Sequence, residues 1–510
     1  MRLAVGRFAL VLSAVAVGWG FAEPVRAQEL FRNPEAETAY KQAVELLDAE
    51  KYVEALNEVN KALQIDPTYD VAYVVKGDAL RGIKEHGAAA LAYTKAIELD
   101  ANSAAAYNGR GEAYLELEPV QVELALNDFR NALDLNRDDP KILANLGHIS
   151  VVYLQDPVSG IRLLNEAIAR DESNARSFRD RGLAQAMLKE FTKAEEDLKK
   201  ATEVDPEDHD NFMTLANIYQ FQEDYKSAVG ALTDAIRAYE PEKLTDPKTY
   251  IGAYLLRADA WLAIGKEEED KAARKEAFEK AVADADAVLD EYEDRFPESG
   301  YALFRRGIAQ RHLGQYERSI DTLTQAIQIV RPGQDAPYLA EAYLRRGINW
   351  FYIGDVDLAR GDFEQAASTG DGYRDPRVYL WIGYTYFKSD DLRTAIDYYA
   401  EAIAKDPEFT LAHVNRGLAY MKLGEYRKAL ASFNNAIRSE PSVGEHYYRS
   451  GQANMAMEKY QQAADMFSLA VLKDEKNPKY RKAAAEALRL AGKESLGDRW
   501  QREAEQLPTE

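Results

Sequence analysis

A short pattern returns along the whole sequence. A small residue, followed in most copies by alanine two positions later and preceded by a ring four positions earlier, recurs in full or in part. It is centred on Ala43, Gly77, Gly111, Gly147, Gly182, Ala216, Ala258, Gly307, Gly347, Gly383, Gly417 and Gly451. Most steps are 34 to 36 residues, and those into Ala258, Gly307 and Gly347 are 42, 49 and 40. Such a unit is too small to bury a core alone, so each copy must cover its apolar side with its neighbours. A chain of 510 residues built this way grows by addition, whereas a single globular core stops growing at about 250–300 residues.

Apolar residues spaced by three and four divide each copy into two helices of about a dozen residues. Gly265, Gly314, Gly354 and Gly424 are expected to break the chain between them, and Pro67, Pro206, Pro407 and Pro441 to occupy the first turn of the following helix. A glycine in mid-helix costs about 1 kcal/mol against alanine. Its return at Gly77, Gly111, Gly182, Gly347 and Gly417 therefore implies that a neighbouring helix presses close there. Ala55, Ala89, Ala194, Ala228, Ala359, Ala395, Ala429 and Ala463 hold the matching place on second helices, with Phe129, Phe363, Tyr399, Phe433 and Phe467 as the rings to be packed.

In these features the chain resembles the tetratricopeptide repeat family, over twelve copies from Glu35 to about Ser468, with a less regular thirteenth from Lys479 to Leu507. The resemblance implies an all-α, right-handed superhelical solenoid with C-terminal capping helices. The expected organisation is a signal peptide at 1–27, a regular block at 28–237, an irregular segment with insertions at 238–337, a second block at 338–476 and capping helices at 477–510. A hinge between the two blocks is a further expectation. The chain departs from the family in carrying Arg110, Arg181, Arg306, Arg346 and Arg416 just before the small residue. Asp128, Asp197 and Asp362 stand at matching places on second helices, so three of these arginines are expected to form pairs inside their own repeats.

The net charge of -22 repels phosphate backbones and anionic head groups, which argues against nucleic acid and membrane surfaces as partners. Arg2 and Arg7 precede the apolar run "FALVLSAVAVGWGFA", which is short for a membrane span and ends near small residues at Val25 and Ala27. An export signal cut before Gln28 is expected, with a retained anchor as the competing reading. No later stretch approaches spanning length. The absence of cysteine removes disulfides, thiolate metal sites and a thiol nucleophile. No Asn-x-Ser/Thr acceptor is present, which points to a bacterial periplasm or the cell exterior over a eukaryotic secretory lumen.

No catalytic constellation emerges, and no cofactor or metal is expected. The six histidines fall in different repeats without ligand spacing, and no phosphate loop or nucleophile elbow is present. The resemblance instead implies binding. In the family, first helices line the inner face, with positions three before, one after and four after the small residue pointing inwards. Carried over to the last five copies, this includes Phe304, Leu344, Ile348, Phe351, Leu380, Tyr384, Phe387, Met421 and Tyr448, with Arg311 among them. Asn217 and Arg179 belong to a more polar lining in earlier copies.

The family's carboxylate clamp is not expected, because its lysine is missing beside Asn217 and Arg179. The functional expectation is a non-catalytic scaffold or assembly factor for peptide or helical segments of partner proteins. A polysaccharide-binding envelope protein and a regulatory subunit of an enzyme complex are the alternatives.

Overall fold

A computed structural model describes residues 33–238, 247–292, 298–331, 334 and 336–507. The expected leader at 1–27 lies outside them, as does most of the lengthened junction before Pro247. Among the described residues are twenty-six α-helices, one π turn and one 3-10 turn, with no strand. In chain order they make thirteen helix pairs, called hairpins below: the twelve repeats and a thirteenth, Pro478–Leu490 with Glu494–Glu505.

Two compact units divide the chain. The first holds the described residues through Glu223 with a short piece at Arg237, and the second holds Asp224–Ile236 and the described residues after 240. Within each unit nearly every helix packs on the next, and most first helices also touch the first helix of the following hairpin. Second helices do not approach one another in this way, so first helices form one layer of the stack and second helices the other.

The small residues do what their recurrence implies. A Cβ added to Gly417 would lie 2.5 Å from the Phe433 ring, one on Gly347 2.7 Å from Phe363, and one on Gly77 2.5 Å from Tyr93. Each ring belongs to the second helix of the same hairpin, and Phe129, Phe363, Tyr399 and Phe433 are fully buried. The alanines from Ala55 to Ala463 named above are likewise removed from solvent. Large rings placed against bare backbone let the two helices close to interior packing density.

The hairpin turn falls seven residues after the small residue and needs a left-handed backbone. Gly314, Gly354 and Gly424 adopt φ of 75°, 97° and 73°, while Lys84, Lys189 and Asp390 hold the same conformation at 65°, 63° and 63°. Gly265 is not such a breaker. It sits inside Pro247–Glu267, where its missing side chain makes room for Phe278, 2.7 Å from where a Cβ would be.

The prolines also differ from expectation. Pro67, Pro206, Pro407 and Pro441 lie three residues ahead of the next helix, not in its first turn. Proline drives the residue before it out of the helical region, and Asp66, Asp205 and Asp406 accordingly end their helices in extended conformations. Each of these carboxylates then accepts an amide two residues on, at 3.0–3.1 Å, which closes the turn.

Irregular steps have visible causes. After Gly147 the π turn Ile149–Tyr153 takes up one residue and shifts the left-handed position to Gln155. The longest step is a hairpin of 21 and 22 residues, Pro247–Glu267 with Lys271–Tyr292. Before Gly383 the added residues form the 3-10 turn Gly370–Arg374.

The Arg-Gly dipeptides are structural. Arg110, Arg181 and Arg346 each grip the expected aspartate with two parallel bonds of 2.6–2.8 Å. The third nitrogen reaches back to the preceding hairpin, donating to Thr94, Asn165 and Thr324 respectively. The ring three residues before each arginine supports the guanidinium at 5.5–5.6 Å. Arg257 makes a fourth clasp, with Asp284 and Thr233, which the lengthened hairpin conceals in the sequence. Arg306 and Arg416 do not grip an aspartate in this way; Arg306 reaches Asp286 and Gln325 with single bonds, and Arg416 reaches Ser432.

Candidate partner-binding face

The first-helix layer of the first unit is polar and largely bonded to itself. Arg81 is clamped by Glu112 and by both oxygens of Glu116, the latter at 2.7 and 2.9 Å. Asn145 donates to Glu112 at 2.7 Å and to Asn108 at 3.0 Å, and His148 lies 2.9 Å from Asp180. Arg179 belongs to the same system, donating to Asp208 at 2.6 Å and to Asn211 at 3.1 Å. Asn217 is exposed. Burial disfavours charge on Arg81, but the Glu116 bond and the two carboxylates more than offset it and hold the guanidinium more firmly protonated than usual.

The second unit is different. Phe351 packs against Tyr384 with ring centroids 5.2 Å apart, and Tyr384 stacks on Phe387 at 6.3 Å. Trp381 completes the strip, 5.5 Å from Phe351 and 5.9 Å from Tyr384. Phe351, Trp381, Tyr384 and Phe387 are all partly exposed. Cations cover the strip's end: Lys388 lies over Tyr384 at 5.7 Å and Lys422 over Phe387 at 5.4 Å.

Met421 and Tyr448 meet at a separate hollow of about 460 Å³, which Leu418, Gln452, Met455 and Glu486 also line. Phe304 is placed elsewhere, stacked on Tyr338 at 5.5 Å beside a buried cluster. Leu344 and Ile348 were expected on the lining but are buried, at 1% and 4% exposure, and Leu380 is buried with them. They fill the space between adjacent hairpins, where the apolar area removed from water stabilises the stack. Trp381 escaped the sequence reading because it stands two residues before the small residue, off the inward register. A lone tryptophan on a first helix was the available signal.

Among the described residues no group of carboxylates, histidines or cysteines is arranged to hold a metal ion. No helix among them is long and apolar enough to cross a membrane.

Models of the tetratricopeptide repeat match residues 71–103, 149–209, 270–337 and 414–480, and a TPR repeat model matches 383–424, together about half of the chain. The chain belongs to the tetratricopeptide repeat family. Members of this family are generally non-catalytic modules that bind protein partners. The chain is 35% identical over 104 residues to the DnaJ homolog subfamily C member 3 homolog of Dictyostelium discoideum, covering 20% of each protein. It is 22% identical over 170 residues to anaphase-promoting complex subunit 3 of Schizosaccharomyces pombe, covering 33% of this chain and 25% of that one. The chain thus spans a fifth and a quarter of the length of these curated relatives. Among solved structures, a tetratricopeptide repeat protein from Parabacteroides merdae is similar at 17% identity and a TM-score of 0.39, covering 55% of this chain and all of the other.

Proposed function

We propose that this tetratricopeptide repeat protein is a non-catalytic scaffold that captures a peptide or helical segment of a partner along the first-helix layer of its second unit. The observation that carries this reading is the partly exposed strip of Phe351, Trp381, Tyr384 and Phe387, which presents four rings in contact on neighbouring hairpins. Clustered aromatic anchors of this kind dominate the energy of peptide and helix recognition. The acidic remainder of the chain keeps the protein soluble and hastens encounter with basic partners. The apolar leader supports export, so the partner is a protein of a bacterial periplasm or of the cell exterior.

The test is selection of a displayed peptide library on the full chain, followed by affinity measurement on Tyr384→Ala and Phe387→Ala. Affinity is expected to fall at least about tenfold in each variant while the helical circular dichroism stays unchanged. Selected peptides that bind both variants as well as the parent would remove the strip from the reading. Retention of soluble glycans with no peptide selected would move the function to polymer binding.

A further inference from the structure

Arg81 and Arg311 occupy the same step of their repeats, four residues after Gly77 and Gly307. For Arg81 the next first helix supplies Glu112 and Glu116, one and five residues after Gly111, and both bond to the guanidinium. The residues at those two places opposite Arg311 are Ile348 and Tyr352. Ile348 is buried, and the guanidinium lies 5.7 Å from the Tyr352 ring centre.

No carboxylate lies within ion-pair reach of Arg311 among the described residues, and its Nε, cut off from solvent, has no acceptor on the protein. Arg345 and Lys266 add positive charge to this corner, and burial together with Arg345 weakens the hold of Arg311 on its proton. Arg345 is itself bound to Glu341 at 2.6 Å. Tyr316 stacks on Tyr352 at 5.4 Å and brings a second phenol to the site. A half-buried guanidinium without a counter-ion is costly, and an incoming carboxylate would relieve that cost with paired, charge-assisted hydrogen bonds.

From this juxtaposition we infer that Arg311 is the receptor for an aspartate or glutamate side chain of the bound partner, taking in trans the carboxylate that Glu116 gives Arg81 in cis. The inference rests on the groove reading above and specifies its occupant. At the same step of the next four repeats stand Phe351, Phe387, Met421 and Met455, so the row runs from one cation into apolar side chains. Neighbouring packed helices are about 8–10 Å apart and an extended chain advances about 3.3 Å per residue. The partner segment therefore places its acid about three residues from its first apolar anchor.

The test uses the full chain and labelled 13-residue Gly/Ser peptides carrying Phe, Leu and Met three residues apart. Glu or Gln stands three residues from the Phe, with both chain directions made, and binding is read by fluorescence anisotropy. The Glu form is expected to bind about tenfold more tightly than the Gln form. Arg311→Gln should erase that ratio and leave the affinity of the Gln form unchanged. Tyr352→Glu, which provides an internal carboxylate, should erase it too. A Glu/Gln ratio near one in the parent, or a ratio that survives both substitutions, overturns the arginine site and leaves the groove standing. Peptides that bind in neither form overturn both.

Discussion

The first-helix layers of the two units use the same steps of the same repeat for opposite ends. In the first unit the inward steps hold Arg81, Asn108, Glu112, His148 and Arg179, and these, joined by Asn145 from the step that Trp381 occupies in the second unit, bond across successive hairpins. In the second the corresponding row is apolar from Phe351 onwards, begins with the unpaired Arg311, and leaves rings partly open to solvent. A repeat can thus direct its inward side chains towards its neighbour or towards a visitor. Where they are spent on the neighbour, little bonding capacity is left for anything else.

The comparison can be broken at three places, beginning with the largest effect. The buried aspartates of the clasps belong to what the units share, so Asp128→Ala and Asp362→Ala should cost the same, about 3 kcal/mol each, by stranding Arg110 and Arg346. Hydrogen exchange in the flanking helices reads this locally, which suits an array whose repeats need not unfold together. Unequal losses would show that the units differ in their framework as well as in their lining.

The sharper contrast is between the two arginines. Arg81→Gln should cost about 1–2 kcal/mol, shrinking in high salt, because it releases Glu112 and Glu116. Arg311→Gln should change stability by less than about 0.5 kcal/mol, because it strands no carboxylate and gives up only the contact with the Tyr352 ring. Equal costs measured by urea unfolding would mean that Arg311 is structural.

The smallest effect is one of pH, and it is confined to the second unit. His413 is buried with Nε2 2.9 Å from the Pro407 carbonyl, and burial, aided by Arg416 and Arg438, holds its pKa below the usual histidine value. The folded state therefore binds fewer protons than the unfolded chain. Its contribution is complete above about pH 6.5, the ordinary histidine value, and is lost as the pH falls through the lower folded value. Protection of Thr410–Lys422 against exchange should weaken on acidification in the parent and change less in His413→Gln.

The ladder was legible because backbone proximity leaves no choice of residue. Gly77, Gly347 and Gly417 mark the contact from one side, and Tyr93, Phe363 and Phe433 from the other. The Arg110, Arg181 and Arg346 pairs were legible for a related reason, since the partners stand 16 or 18 residues apart within each hairpin. Arg257 and Asp284 form the same clasp, but the 21- and 22-residue helices stretch the interval and hide it.

The lining was harder to read. Sequence register says which way a side chain leaves its helix and not how far the next hairpin closes over it, so Leu344 and Ile348 became core while Phe351 stayed partly open. Trp381 lies off that register and contributes two of the strip's contacts. The contrast between Arg81 and Arg311 depends on residues of the following repeat. It emerges only when hairpins are set side by side.

The four complete clasps, at Arg110, Arg181, Arg257 and Arg346, stand in the third, fifth, seventh and ninth hairpins and each ties its hairpin to the one before. After Arg346 the described residues hold no further clasp of this form, since Arg416 reaches Ser432 of its own hairpin and grips no aspartate, and single ion pairs such as Arg377–Glu341 and Lys422–Asp390 join the hairpins instead. Under tension a hairpin that carries a clasp could not slip out alone, because drawing its arginine away would strain the paired grip on the aspartate and the bond to the hairpin behind together. Phe351 lies on the last hairpin that carries a clasp, and Tyr384 and Phe387 on the one after it. A segment bound to the aromatic strip would act as a splint across these two hairpins, added to the bonds that Arg377 makes to Glu341 and Arg360 to Thr385.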